Sequence, residues 1–312
     1  MSHNGLVLSG LRGSHLLGFL ATLGVLKICS SPNIIPQPVK LGWIQGSDWN
    51  PVLQFEDEIE FSKLLELLKS GLEKTLESPL IQWQEDLRIE FGEFRDFSSL
   101  AVEERDMDTL SFLAALDCDA VLEEEGTTVL PTPFYTLSGQ QRFFKELRKS
   151  LRALSNPGRR SRSFVEVLEE TLLGPWRYED KVHSLGWDAS TERQHAYRAT
   201  SPSEEGTPFG VMGAIWLGYE GLSLMSLAPG PRGLSASGFH GPLRNRWVTW
   251  PIWEPLCPLY TVRSLLRLQA LVEKNPNFRI LQQRGVSALY RSKRQLIGNK
   301  GYAIFKPADL VN

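Results

Sequence analysis

Apolar residues recur at helical spacing in several stretches of the chain. Between 59 and 77, Ile59, Leu64, Leu67, Leu68, Leu72 and Leu76 form one face and charges fill the other, which predicts an amphipathic helix. A second helical region is predicted from Phe97 to Leu116, with Leu100, Met107, Leu110, Phe112, Leu113 and Leu116 in the core. Phe143, Phe144, Leu147, Leu151 and Leu154 predict a helix over 138–154, and shorter helices follow at 164–173, 209–220 and 261–273, the last starting on Thr261 as N-cap. The run from Leu16 to Cys29 is apolar on every side, so it predicts a buried core helix, with Ser14 placed as its N-cap. Extended segments are predicted at Leu6–Leu8, at Val39–Ile44 with a turn near Trp49, at Val129–Phe134, at 247–253, and as short strands between 278 and 306. In the Val129–Phe134 segment each proline biases its predecessor away from the helical region. Residues 174–208 read as a long polar and aromatic loop. The expectation is an α+β fold, mostly helical with small mixed or antiparallel sheets.

Charge changes this picture. The net charge is −2, but residues 54–125 hold 21 Asp and Glu against 6 Lys and Arg, whereas residues 126–312 hold 25 Lys and Arg against 14 Asp and Glu. This asymmetry predicts an acidic helical N-terminal lobe, 1–135, and a basic C-terminal lobe, 136–312, although one domain in which the two charges neutralise each other fits the same counts. The run at 16–29 has 14 residues, short of the roughly 20 that cross a bilayer, and Met1 to Ser9 contains no Lys or Arg, so neither a membrane span nor a signal peptide is predicted. Cys29, Cys118 and Cys257 are isolated, which speaks against a disulfide framework or a zinc site and suits a reducing cytoplasm.

Three basic segments point to nucleic acid. Arg142, Lys145, Arg148, Lys149, Arg152, Arg159, Arg160 and Arg162 lie within 21 residues that hold a single acid, Glu146. A solvated helix face ordinarily mixes both signs, and the arginine fork matches phosphate oxygens in a way lysine does not. The C-terminal segment adds Arg291, Lys293 and Arg294, with no acid between 284 and 306 and with Tyr290 and Tyr302 interleaved for stacking. The loop WDASTERQHAYRATSP, 187–202, packs Arg193, Gln194, His195, Tyr197 and Arg198 together, side chains suited to base edges or a displaced strand.

Catalytic chemistry has no comparable signature. The histidines form no HxH, HxxxH or HExxH pattern, and there is no phosphate-cradling GxxxxGK[ST] or GxGxxG, so no cofactor and no metal are expected. The acidic pairs Asp106/Asp108 and Asp117/Asp119 could hold magnesium in a cryptic metal-dependent nuclease, but acids at helix ends are more often solvated caps. No catalytic residue is assigned.

Three blocks resemble a known family. LVLSGLRGSHLLGFLATLGVLK (6–27), GWDASTERQHAYRATSPS (186–203) and WPIWEPLCPLYTVRSLLRL (250–268) are similar to proteins of type I-G (formerly I-U) CRISPR systems. The resemblance implies a non-catalytic subunit of an RNA-guided DNA-targeting complex, with DNA, guide RNA and the other effector subunits as partners and no membrane. Two roles compete: a large-subunit-like protein beside the guide-paired target, and an accessory or adaptor that links the complex to its helicase–nuclease. The chain is short for the first role, and it carries neither helicase nor histidine–aspartate nuclease motifs.

Overall fold

The first helix is apolar but for Lys27 because it is enclosed almost all round. In the computed structural model, which describes residues 5–32, 34, 37–123, 126–137, 139, 141–158, 161–190, 209–230, 233–242, 246–297 and 302–311, α1 (Leu16–Cys29) lies at the centre of the core. It packs against a second small-residue helix, Met212–Leu222. A Cβ at Gly24 would fall on the Leu217 carbonyl oxygen and one at Gly221 on that of Leu20, so the two backbones meet only because both positions are glycine. His15, not Ser14, caps α1: its Nδ1 accepts from the Gly18 N–H, while the Ser14 hydroxyl is drawn away to Asp48.

Two antiparallel sheets flank this helix. In the first, β1 (Leu6–Val7), β3 (Trp49–Phe55), β2 (Val39–Gln45) and β12 (Cys257–Pro258) lie side by side in that order. The turn expected at Trp49 is thus a strand, register-matched to β2 from Gln45↔Trp49 to Val39↔Phe55. In the second, β10 (Phe239–His240), β11 (Trp247–Trp253), β13 (Val286–Ile297) and β14 (Tyr302–Phe305) follow in order, and β15 (Asp309–Val311) also pairs with β13. Short hairpin pairs β4 (Asp117–Leu122) with β5 (Val129–Pro131), β6 (Asp180–Lys181) with β7 (Phe209–Gly210), and β8 (Leu227–Gly230) with β9 (Gly233–Ala236) complete the strands. Phe19, Trp43, Trp250 and Trp253 join α1 to both sheets, and the buried indoles of Trp250 and Trp253 donate to Gly13 O and Leu41 O.

The remaining helices wrap this centre. They are α2 (Phe61–Glu77), α3 (Pro79–Trp83), α4 (Phe91–Glu103), α5 (Met107–Leu116), α6 (Phe143–Ser155), α7 (Phe164–Leu173), α8 (Met212–Leu222), α9 (Leu259–Leu265) and α10 (Phe278–Gln282). Of the described residues 41% are helical and 25% are in strands, so the fold is mixed α+β with a larger share of strand than the periodicity predicts. The helical region expected over Phe97–Leu116 is two helices that break at Arg105, whose φ is +56°. That break turns Leu100 and Met107 outward at 48% and 69% exposure, where the heptad-like spacing places them in the core. The helix expected at 261–273 starts earlier, on Pro258, and ends at Leu265 before a single 3₁₀ turn, Gln269–Val272. One hydrophobic cluster draws on residues from both sides of position 135, including Leu20, Leu68, Leu147 and Trp216. Among the described residues no helix is long and apolar enough to cross a membrane.

Candidate nucleic-acid interface

α6 is amphipathic for a reason its sequence states. Phe143, Phe144, Leu147, Leu151 and Leu154 are buried against α2, α7 and α8, each worth about 1.5–3 kcal/mol of burial. With that face inward, Lys145, Lys149 and Arg152, spaced i, i+4, i+7, lie on one solvent-exposed stripe. Lys149 is paired with the half-buried Glu146 at 2.7 Å; Lys145 and Arg152 have no ionic partner among the described residues. The other basic residues of this segment have internal work. Arg148 donates to Ile81 O at 2.6 Å and Gln84 O at 2.7 Å, satisfying carbonyls at the end of α3. Arg142 donates to Gly139 O and Gln141 O and stands 3.8 Å from Asp86. Arg162 is held between the buried carboxylates of Glu170 and, at 2.6 Å, Asp180; burial opposes its charge, but the two acids outweigh it and raise its pKa. Arg159 and Arg160 lie outside the described residues.

The C-terminal basic residues sit on β13, where alternate side chains face opposite ways. Arg291 donates to Thr249 Oγ1, Lys274 O and Glu273 O at 2.8–2.9 Å. Arg294 donates to Pro133 O and Tyr135 O. Lys293 covers the Trp247 ring, with Nζ 5.6 Å from its centroid. Of this group none is presented outward as the α6 stripe is.

Arg193, Gln194, His195, Tyr197 and Arg198 also lie outside the described residues, but the segment that leads to them is fixed. The Trp187 indole is buried and donates to Phe134 O, and Asp188, 1% exposed, accepts from Ser190 N–H at 2.7 Å and from His15 Nε2 at 3.1 Å. Burial would raise the Asp188 carboxyl, but His15 and the hydrogen bonds hold it below its ordinary range. Because His15 Nδ1 accepts from Gly18 N–H, its Nε2 carries the proton toward Asp188, and both nitrogens are engaged. This His–Asp pair ties the entrance of the 187–202 loop to the start of α1.

The acidic pairs do not converge. Asp106 caps α5 through Thr109, Asp108 reaches Lys27 at 2.9 Å, and Asp117 is buried, its carboxyl raised by burial and by Asp86. Among the described residues no group of three or more His, Cys, Asp or Glu is placed to hold a metal ion.

One basic residue escaped the sequence reading. Arg246, which ends LRNR just before β11, is brought directly opposite Arg294, whose N–H donates to its carbonyl at 2.9 Å. Arg246 is 8% exposed, and burial lowers its pKa; Arg294 is pushed down to about 10 by burial and then by Arg246. The available signal was local: two arginines around Asn245 abut a strand of apolar alternation, which predicts that one of them turns inward. No family model matches the chain, and no curated protein matches it either.

Proposed function

We propose that this chain is a cytoplasmic, non-catalytic subunit of a CRISPR-type RNA-guided DNA interference complex that contacts target DNA through a basic face. The observation that carries the nucleic-acid part is the outward stripe Lys145, Lys149 and Arg152 on α6, with Arg159 and Arg160 next in the sequence. The three sequence blocks similar to type I-G proteins supply the CRISPR part. On this reading the stripe displaces counterions from phosphates and sets position, while guide pairing supplies sequence. The acidic surface of α2, α4 and α5 stays off the DNA.

The test is equilibrium binding to duplex DNA, single-stranded DNA and RNA at two salt concentrations, for the wild type and the triple variant Lys145→Ala, Lys149→Ala, Arg152→Ala. If all three touch phosphates, the log–log salt slope on duplex falls by about 2.7, at roughly 0.9 per contact. An affinity and slope untouched by the triple change would sink the reading.

A second reading has its own observation. Leu100, Val102 (60% exposed) and Met107 stand outward at the α4–α5 corner among Glu103, Glu104 and Asp108, a surface suited to a basic, partly apolar protein neighbour. An adaptor that links the effector complex to its helicase–nuclease would dock there. Absence of any nucleic-acid binding by the wild type would favour it.

A further inference from the structure

Arg246 and Arg294 form a cross-strand pair of like charges, continuing the register in which Trp247 faces Lys293. Like charges directly opposite on an antiparallel pair destabilise it, and a charge removed from water is costly unless paired. Neither guanidinium has a carboxylate partner among the described residues. Arg246 uses one of its five N–H donors, on Leu234 O at 3.2 Å, and Arg294 uses its Nε and Nη2 on two carbonyls. Both residues line a cavity of about 250 Å³ together with Arg88, Glu123, Thr132 and Tyr135, and Arg246 also lines a neighbouring hollow with Leu234 and His240. Arg88 is paired with Glu123 at 3.2 Å and leans over the Tyr135 ring. Three cationic residues and one carboxylate residue therefore line a single hollow, a local excess of two positive charges.

We propose that this cavity binds a dianionic phosphate group, with Arg246 and Arg294 as the two forks that grip it and Arg88 at the rim. Phosphate fits better than a carboxylate for two reasons. A phosphate monoester carries about −1.5 to −2 at neutral pH, close to the excess present, and its three terminal oxygens accept donors from forks that approach from different directions. The cavity is also coupled to the start of α6: the Tyr135 hydroxyl donates to Asp86 at 3.0 Å, and the same carboxylate accepts from Phe143 N–H and stands beside Arg142. The cavity is thus joined through Asp86 to the N-terminus of α6, the helix that carries the stripe. The pocket itself does not rest on the proposed function, because free phosphate would satisfy the same forks.

Thermal unfolding of the full chain in inorganic phosphate against chloride at matched ionic strength tests the pocket. Phosphate is expected to raise the wild-type midpoint by about 2 °C or more once it well exceeds its dissociation constant, and Arg246→Gln is expected to abolish that rise. The Lys145/Lys149/Arg152 alanine variant keeps it, which separates the pocket from the stripe. Because Arg294→Gln removes two carbonyl contacts on an inner strand and so also costs stability, Arg246→Gln carries the decision, with calorimetric titration of phosphate into the wild type as the second measurement. No phosphate-specific rise, or a rise that survives in Arg246→Gln, overturns the proposal. Short single strands with a 5′-phosphate or a 5′-hydroxyl then identify the source. Preference for the phosphorylated end by about tenfold, lost in Arg246→Gln, assigns the pocket to a strand terminus. A phosphate-dependent rise with no such preference assigns it to a small phosphate compound, and it would stand even if nucleic-acid binding fails altogether.

Discussion

α6 and β13 carry arginine and lysine at similar density, yet the fold uses them in opposite ways. On α6 the apolar face takes up five positions, and the 3.6-residue period leaves Lys145, Lys149 and Arg152 together on the far side. On β13 the period is two, so Arg291 and Arg294 lie on opposite faces, and each ends on backbone carbonyls of a neighbouring segment, Glu273 and Lys274 for the first and Pro133 and Tyr135 for the second. The lesson is that cation density names a candidate, while the geometry of the element decides whether the charge is offered or consumed. Within α6 the same division recurs one residue apart: Lys149 faces water and Arg148 closes α3.

The largest effect that sharpens this comparison belongs to a consumed charge. Arg162→Ala leaves Glu170 and Asp180 buried with one cation fewer, and loss of one partner from a buried network costs about 3–5 kcal/mol. Urea unfolding is expected to show that loss, while the salt slope of nucleic-acid binding by the folded fraction stays unchanged. A reduced slope with full stability would move Arg162 to the offered group.

Arg148→Ala comes next, at about 1–3 kcal/mol, since it strips Ile81 O and Gln84 O of their donor. Arg148→Lys recovers part of this, because an ammonium can reach one carbonyl but lacks the fork. Denaturation midpoints of the wild type and the two variants give the ranking, and variant midpoints equal to the wild type's would show that the capping bonds contribute nothing.

His240 on β10, near the Arg291 guanidinium, adds a pH signature. Burial and the neighbouring Arg291 push the His240 imidazole from 6.5 down to about 4. The unfolded chain therefore takes a proton near pH 6.5 that the folded chain refuses until about pH 4. Stability is complete above 6.5 and falls as pH drops through that window. His240→Gln removes the coupling, so its urea midpoint is expected to decline less between pH 7 and pH 4 than that of the wild type. Parallel declines would place the acid sensitivity elsewhere.

The periodic elements were legible because a single buried face fixes them: α2, α6 and α7 fall within a few residues of their predicted spans, and Ser163 with Glu166 forms the capping box that starts α7. What was not legible depends on long-range partners. Pro51 within β3 reads as a breaker, yet it sits opposite Trp43 in the first sheet. Leu100 and Met107 keep helical spacing but lose their face when Arg105 breaks the helix. For the candidate interface the sequence located the α6 cations and missed Arg246, because the partner that makes Arg246 notable, Arg294, is 48 residues away.

The smallest stability effect is the most informative about function. Lys145→Ala, Lys149→Ala and Arg152→Ala each remove an exposed charge with at most a surface ion pair, and each is expected to shift stability by no more than about 0.5 kcal/mol. If the stripe is offered to nucleic acid, each change still lowers affinity and reduces the salt slope by about 0.9 on duplex or about 0.7 on a single strand. Stability therefore separates the two classes of arginine and lysine in one direction, and salt dependence separates them in the other. A stripe variant that lowered stability by several kcal/mol would show these cations to be consumed as well. An unchanged stability with an unchanged slope would leave α6 as a solvated face and shift the interaction surface to the α4–α5 corner.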